Sequence, residues 1–245
     1  MIGAMLTLAL AAGDGGTRTI AVPLFHAVEL ATRATVLVER AAGPGVSVDG
    51  DPRSVRCITA TVRGGTLIIG WSGRGRAGGS GQATADAIVV NARNACRHPS
   101  NARQVTVRVG APAIDGVMIS EQGSISVGPM RVPAFAAAIP GRGDILVTGL
   151  EADRTSLAIA GIGHAIIGGT PGRLAITIPG RGVVDTRSAR ARSLDIAIAG
   201  HGDVEATVDG PATGALAGSG AIAIGGHPAC AIRKLGHGSI QCPAG

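Results

Sequence analysis

The chain has 245 residues, of which 40 are glycine, two phenylalanine, one tryptophan and none tyrosine, and its formal net charge is +6. Without the large aromatics that usually fill an enzyme core, a chain of this length has to build its interior from small aliphatic side chains. Its basic charge sits almost wholly on arginine (Lys234 is the single lysine), which favours acidic surfaces and polyanions as partners and leaves the fold open.

Residues 1–19 read as a signal-peptide-like segment. The run from Met1 to Ala12 is apolar but too short to span a bilayer, and no transmembrane span is expected. Ala9-Leu10-Ala11 fits a small-residue cleavage site, and the run breaks at Gly13-Asp14-Gly15-Gly16. A buried first strand is the competing reading. Export points to the periplasm or the cell surface, and leaves residues 20–245 as a single domain.

Within that domain, residues 20–104 read as irregular strands and loops. Ala27–Leu30 and Thr35–Val38 alternate, Val46–Val48 precedes the turn signal Asp49-Gly50-Asp51-Pro52, and Leu67–Ile69 is a buried-type run. Residues 72–82 form a loop rich in Gly, Ser and Arg, Ile88–Val90 a further strand, and residues 91–104 a polar connection. Trp71 reads as a plug over one end of the core. With Arg74 and Arg76 it could form a contact loop instead, but one aromatic is a poor stacking platform, so nucleic acid is not an expected partner.

Residues 105–245 are periodic. Gly-x-Gly or a close relative recurs as Glu121-Gln122-Gly123, Gly141-Arg142-Gly143, Gly161-Ile162-Gly163, Gly180-Arg181-Gly182, Gly200-His201-Gly202, Gly218-Ser219-Gly220 and Gly236-His237-Gly238, every 18–20 residues. Such a period signals stacked supersecondary units. Two residues before each copy stand Ile119, Ile139, Ile159, Ile178, Ile198, Leu216 and Lys234; two after stand Ile125, Ile145, Ala165, Val184, Val204, Ile222 and Ile240. Residues two apart on a strand share a face, so both sets can point inward and stack into aliphatic ladders, about 4.8 Å per coil. The glycines between them would supply positive φ or a tight corner. The expected fold is all-β, a single parallel β-helix with a less regular N-terminal part. Lys234 falls on an inward column in the last coil only, where a charge would oppose edge-to-edge growth; a lysine swung outward by local irregularity is the alternative.

Phe25-His26-Ala27-Val28-Glu29-Leu30, Val48-Asp49-Gly50-Asp51, Gly65-Thr66-Leu67-Ile68-Ile69 and the serial Gly-x-Gly units resemble the bacterial head GIN domain family of auto-transporter adhesins. Gly226-His227-Pro228 and Leu235-Gly236-His237-Gly238-Ser239-Ile240 match its end pattern. The resemblance covers about residues 21–242. It implies a right-handed β-helix in the cell envelope of a Gram-negative bacterium and carries no catalytic residues. Glu121 departs from the pattern, as do Arg and His where a small residue often stands between the glycines.

That middle position, if it faces outward, makes a column whose basic members Arg142, Arg181, His201 and His237 form a candidate stripe for an anionic ligand such as an acidic polysaccharide. A solvated corner is the bland alternative. The next column holds Asp144 and Asp203, three coils apart, as turn residues capping their own backbone. Four cysteines, Cys57, Cys96, Cys230 and Cys242, lack zinc spacing and allow three pairings; sequence proximity favours Cys57–Cys96 and Cys230–Cys242, with free buried thiols the alternative. No catalytic, cofactor or metal residues are expected. The leading functional reading is a non-enzymatic exported envelope protein, an adhesin or a surface-interaction or structural β-helix whose partner is an acidic surface polysaccharide or another envelope protein. The runner-up is a periplasmic module for acidic glycan or lipopolysaccharide; a polysaccharide lyase or hydrolase is third, by fold analogy alone.

Overall fold

The computed structural model of the chain describes residues 16–72, 96 and 105–243. The leader-like run from Met1 to Ala12, the strand expected at Ile88–Val90 and most of the two loops around it lie outside the described residues.

The C-terminal part is a β-solenoid of about six turns. After β8 (Gly116–Ile119), β9 (Gln122–Val127) and β10 (Met130–Ile139), each turn is one long bent strand: β11 (Arg142–Ile159), β12 (Ile162–Ile178), β13 (Arg181–Ile198), β14 (His201–Leu216) and β15 (Ser219–Lys234), closed by β16 (His237–Gln241). Each pairs in parallel with the next, and equivalent residues of the repeat face one another, as in Ile145↔Ala165 and Val204↔Ile222. The strand breaks only at the Gly-x-Gly corner.

Both expected ladders point inward. Ile119, Ile139, Ile159, Ile178, Ile198 and Leu216 are buried, and so are Ile125, Ile145, Ala165, Val184, Val204 and Ile222. A buried Ile or Leu contributes about 1.5–3 kcal/mol over an exposed one, so stacked ladders can replace an aromatic core. A third buried ladder closes another bend: Phe135, Thr155, Leu174, Leu194 and Ala212 follow one another through successive turns, and Cys230 continues the register but is exposed. Lys234 overturns the inward placement in favour of the outward alternative. It pairs with Leu216 in register but is exposed, and its Nζ donates to the Gly238 carbonyl at 3.2 Å. With no full coil beyond it, the long side chain turns out to water.

The N-terminal part is more ordered than its sequence suggests, and it is not stacked in chain order. β2 (Ala27–Leu30) and β3 (Ala34–Arg40) form a coil of the solenoid, parallel to β8 and β9 on one side. On the other side β6 (Thr66–Trp71) pairs with β2 and β7 (Thr106–Ala111) with β3. The later segments 66–71 and 106–111 therefore lie outside the earlier coil 27–40. Antiparallel strands finish this end: β5 (Ile58–Arg63) on β6, and β4 (Gly45–Asp49) and then β1 (Thr17–Ile20) on β7. β1 begins within the 1–19 segment set apart by sequence, and β7 belongs to the cap, so regular coils begin at 116 rather than 105. The turn signal at residues 49–52 leads into one helical turn, α1 (Pro52–Val55), whose first amides Arg53 and Ser54 donate to the Asp51 carboxylate. Trp71 is buried at the end of β6 and its indole N–H donates to the Cys96 carbonyl at 3.1 Å. Among the described residues no helix is long and apolar enough to cross a membrane.

Candidate functional site

At each Gly-x-Gly corner the backbone of one coil rests on the backbone of the coil before. The amide of the middle residue donates to the first-glycine carbonyl of the preceding coil, as in Ile162 to Gly141 at 3.0 Å and Arg181 to Gly161 at 2.8 Å. A Cβ at Gly161 would overlap the Gly141 carbonyl oxygen, and Gly200 and Gly218 meet the same obstacle. Of the two roles expected for the glycines, these first glycines serve the tight corner, through close backbone approach, and not positive φ. The second glycine does combine both at Gly220, where φ is +132° and an added Cβ would overlap the Gly202 carbonyl oxygen.

This packing sets a groove. The middle residues form its first wall, the second glycines its floor, and the following residues its second wall, together enclosing about 1310 Å³. A floor without side chains sinks the corner below its two walls. The register carries the first wall continuously through Gln122, Arg142, Ile162, Arg181, His201, Ser219 and His237. The structure thus brings Arg142, Arg181, His201 and His237 onto one outward column; His201 lines the groove with the two arginines, and His237 continues the column past it.

Sequence reasoning missed one member. Ala34 pairs with Gly123, which places Arg33 in register with Gln122 at the N-terminal end of the column, and Arg33 lines the groove. A signal was available: Leu30 and Val36 flank Ala31-Thr32-Arg33-Ala34 as Ile119 and Ile125 flank the first repeat. Its corner lacks glycine, which hid it. Arg33, Arg142 and Arg181 stand on every second coil, about 10 Å apart by strand spacing. Among the described residues none of the three has an ion-pair partner. Unpaired guanidinium groups on a regular pitch present fixed donor forks to an incoming acid.

The second wall is mixed. Asp144 and Asp203 lie on it with Ser124, His164 and Val183. Asp203 accepts from the Ala221 amide of the next coil at 2.9 Å, so it ties coils together where capping of its own backbone was expected. Ile162 and Val183 are exposed by 42% and 46%, which places an apolar step midway along an otherwise polar groove.

The cysteines lie away from the groove. Cys57 is bonded to Cys96 beneath the N-terminal cap, and Cys230 to Cys242 at the last coil. Acidic pairs near the surface have their own roles: Arg187 beside Asp185 holds that carboxyl below the usual range, and a hydrogen bond from His227 does the same for Asp209.

Residues 24–228 match the family described as "Putative auto-transporter adhesin, head GIN domain". Similar solved structures include a putative adhesin from Bacteroides fragilis, 15% identical with a TM-score of 0.72 over 92% of this chain and 95% of that one. A putative lipid binding protein from Parabacteroides distasonis is 17% identical with a TM-score of 0.59, over 95% and 98%. A putative adhesin from Parabacteroides merdae is 13% identical with a TM-score of 0.57, over 94% and 98%. At these identities the likeness is one of fold. No curated protein matches the chain.

Proposed function

We propose that this chain, which belongs to the putative auto-transporter adhesin, head GIN domain family, is an exported, non-enzymatic envelope protein that holds extended acidic polysaccharide along the glycine-floored groove. The observation that carries this reading is the column Arg33, Arg142, Arg181, unpaired among the described residues and repeated on every second coil. Acid groups of a linear polymer would meet successive guanidinium forks. Hydroxyls would reach Asp144 and Asp203, and the apolar face of a sugar ring would rest on Ile162 and Val183. A walled groove that follows the solenoid axis across successive coils suits an extended chain lying along it. Two disulfides and the family's name support an exported setting, periplasmic or at the surface.

Hydrolysis or elimination is the weaker reading. Asp144 and Asp203 are three coils apart, about 14 Å by strand spacing, too far to act as a glycosidase pair. The test is retention of the purified protein on immobilised acidic and neutral bacterial polysaccharides at low and moderate salt, with recovered glycans checked by mass. Acidic glycans should retain it, salt should release it, and Arg142→Ala with Arg181→Ala should abolish retention. Unchanged retention by that variant, or salt-insensitive retention of neutral glycans, would refute the groove as the site. Shortened glycans would make the protein an enzyme.

A further inference from the structure

A second groove lies on another bend of the solenoid and has a different charge plan. Its first wall runs Ala134, Arg154, Arg173, Ser193, in register coil by coil, and its floor is the backbone of Phe135, Thr155, Leu174 and Leu194, whose side chains are buried in the core. Arg154 and Arg173 are direct neighbours on adjacent parallel strands, about 4.8 Å apart at the backbone. Like charges placed directly opposite each other destabilise a sheet. Elsewhere on this surface the protein offsets such charge: Arg131 pairs with Glu151, Arg190 with Asp209, and Arg192 with Asp153. Arg154 and Arg173 have no such partner among the described residues.

The rest of the groove limits what could neutralise them. Asp115 and Asp195 also line it. By register Asp115 lies towards the end where β8 pairs with β10, and Asp195 on the coil beyond Arg173. Asp115 is already engaged by His26 at 3.0 Å. A polyanion threading this groove would meet carboxylates on both sides of the arginine pair, whereas a single anionic head would meet only the two guanidinium groups. The second wall is low and built of small side chains, Ala136, Ser156, Ala175, Asp195 and Thr213 in register, with Pro211 beside it. The groove's volume is about 640 Å³, within the range of small-ligand sites.

We propose that Arg154 and Arg173 clamp the head of an amphiphilic anion, a phosphate monoester carried on an alkyl chain, with the chain lying against the exposed Ala136, Ala175 and Pro211. Two guanidinium forks match the oxygens of one phosphate. The site is separate from the glycine-floored groove and independent of what binds there.

The probe is monododecyl phosphate below its micelle concentration, titrated calorimetrically into the purified protein, with dodecyl maltoside and inorganic phosphate as partial mimics. Saturable binding at one per chain is expected for the alkyl phosphate, with neither mimic binding at the same concentration. Arg154→Gln with Arg173→Gln should weaken binding at least tenfold, while Arg142→Gln with Arg181→Gln should leave it unchanged. Because both clamp arginines are exposed, the double variant should unfold at the same temperature as the parent or higher. Equal binding of dodecyl maltoside would overturn the ionic clamp, and equal binding of inorganic phosphate would overturn the role of the chain. Undiminished binding by a folded Arg154→Gln, Arg173→Gln variant would overturn the site itself.

Discussion

Two residues show how little freedom the coil corners and the core leave. A methyl group at Gly161 has nowhere to go, because the Gly141 and Pro140 carbonyl oxygens already occupy its position. Gly161→Ala should lower stability by about 2–3 kcal/mol through overpacking of backbone against backbone. Thr155 is the opposite case. Its buried hydroxyl lacks a partner among the described residues, so Thr155→Val, which keeps the shape and removes the stranded polar atom, should raise stability by about 1 kcal/mol. Denaturant unfolding of both variants tests the pair, and a stabilising Gly161→Ala or a destabilising Thr155→Val would contradict the packing described. The glycine was legible in the sequence as a repeat, but its reason was not. Only stacking puts one coil's carbonyl where the next coil's Cβ would stand.

At the scale of elements, the two ends of the solenoid are closed by different devices. The N-terminal end is covered by antiparallel strands and the Cys57–Cys96 bond. The C-terminal end has only the short β16, held by its parallel pairing to β15 and by Cys230–Cys242. A cross-link closing a loop of this size stabilises by about 3 kcal/mol in the chain-entropy view. In a stack where each coil touches only its neighbours, that stabilisation stays local. Cys230→Ser with Cys242→Ser should therefore speed hydrogen exchange in residues 219–243 while leaving residues 116–160 protected. Uniform loss of protection along the whole stack would show the coils to be one cooperative unit. Sequence proximity was enough to suggest both pairings; Cys230 lies on β15 and Cys242 just past β16, strands that pair directly.

For the whole molecule, positive charge is in excess and its balance depends on carboxylates. Asp185 is held below its ordinary value first by the Arg187 side chain, and Asp209 first by the hydrogen bond from His227. A carboxyl depressed in the folded state adds stability above its unfolded value of 3.8, and that stability is lost as pH falls through the lower folded value. Protonation of the remaining acids raises the net charge beyond +6 over the same range. The melting temperature should accordingly drop once pH passes below about 4, more steeply at low salt. Asp185→Asn should lower stability at pH 7 by about 0.5 kcal/mol, the scale of an exposed pair, and should converge with the parent in acid. A constant gap between the two proteins down to pH 2 would contradict the assignment.

The period of 18–20 residues, with aliphatics two positions either side of each corner, determined the solenoid, its inward ladders and the outward column of Arg142, Arg181, His201 and His237. Those are local properties: strand alternation sends each residue to one face, and an even repeat then aligns like with like. What the chain order does not contain is who stacks on whom. Residues 27–40 are inserted between coils that follow them in sequence, and this alone adds Arg33 to the column. The second groove was missed for a different reason: it lies away from the Gly-x-Gly corners that drew the reading of the repeat. Arg154 and Arg173 are 19 residues apart in sequence and become neighbours only where β11 meets β12. Side-chain direction is settled within a strand, whereas the meeting of charges is settled between strands, and only the tertiary structure sets that pairing.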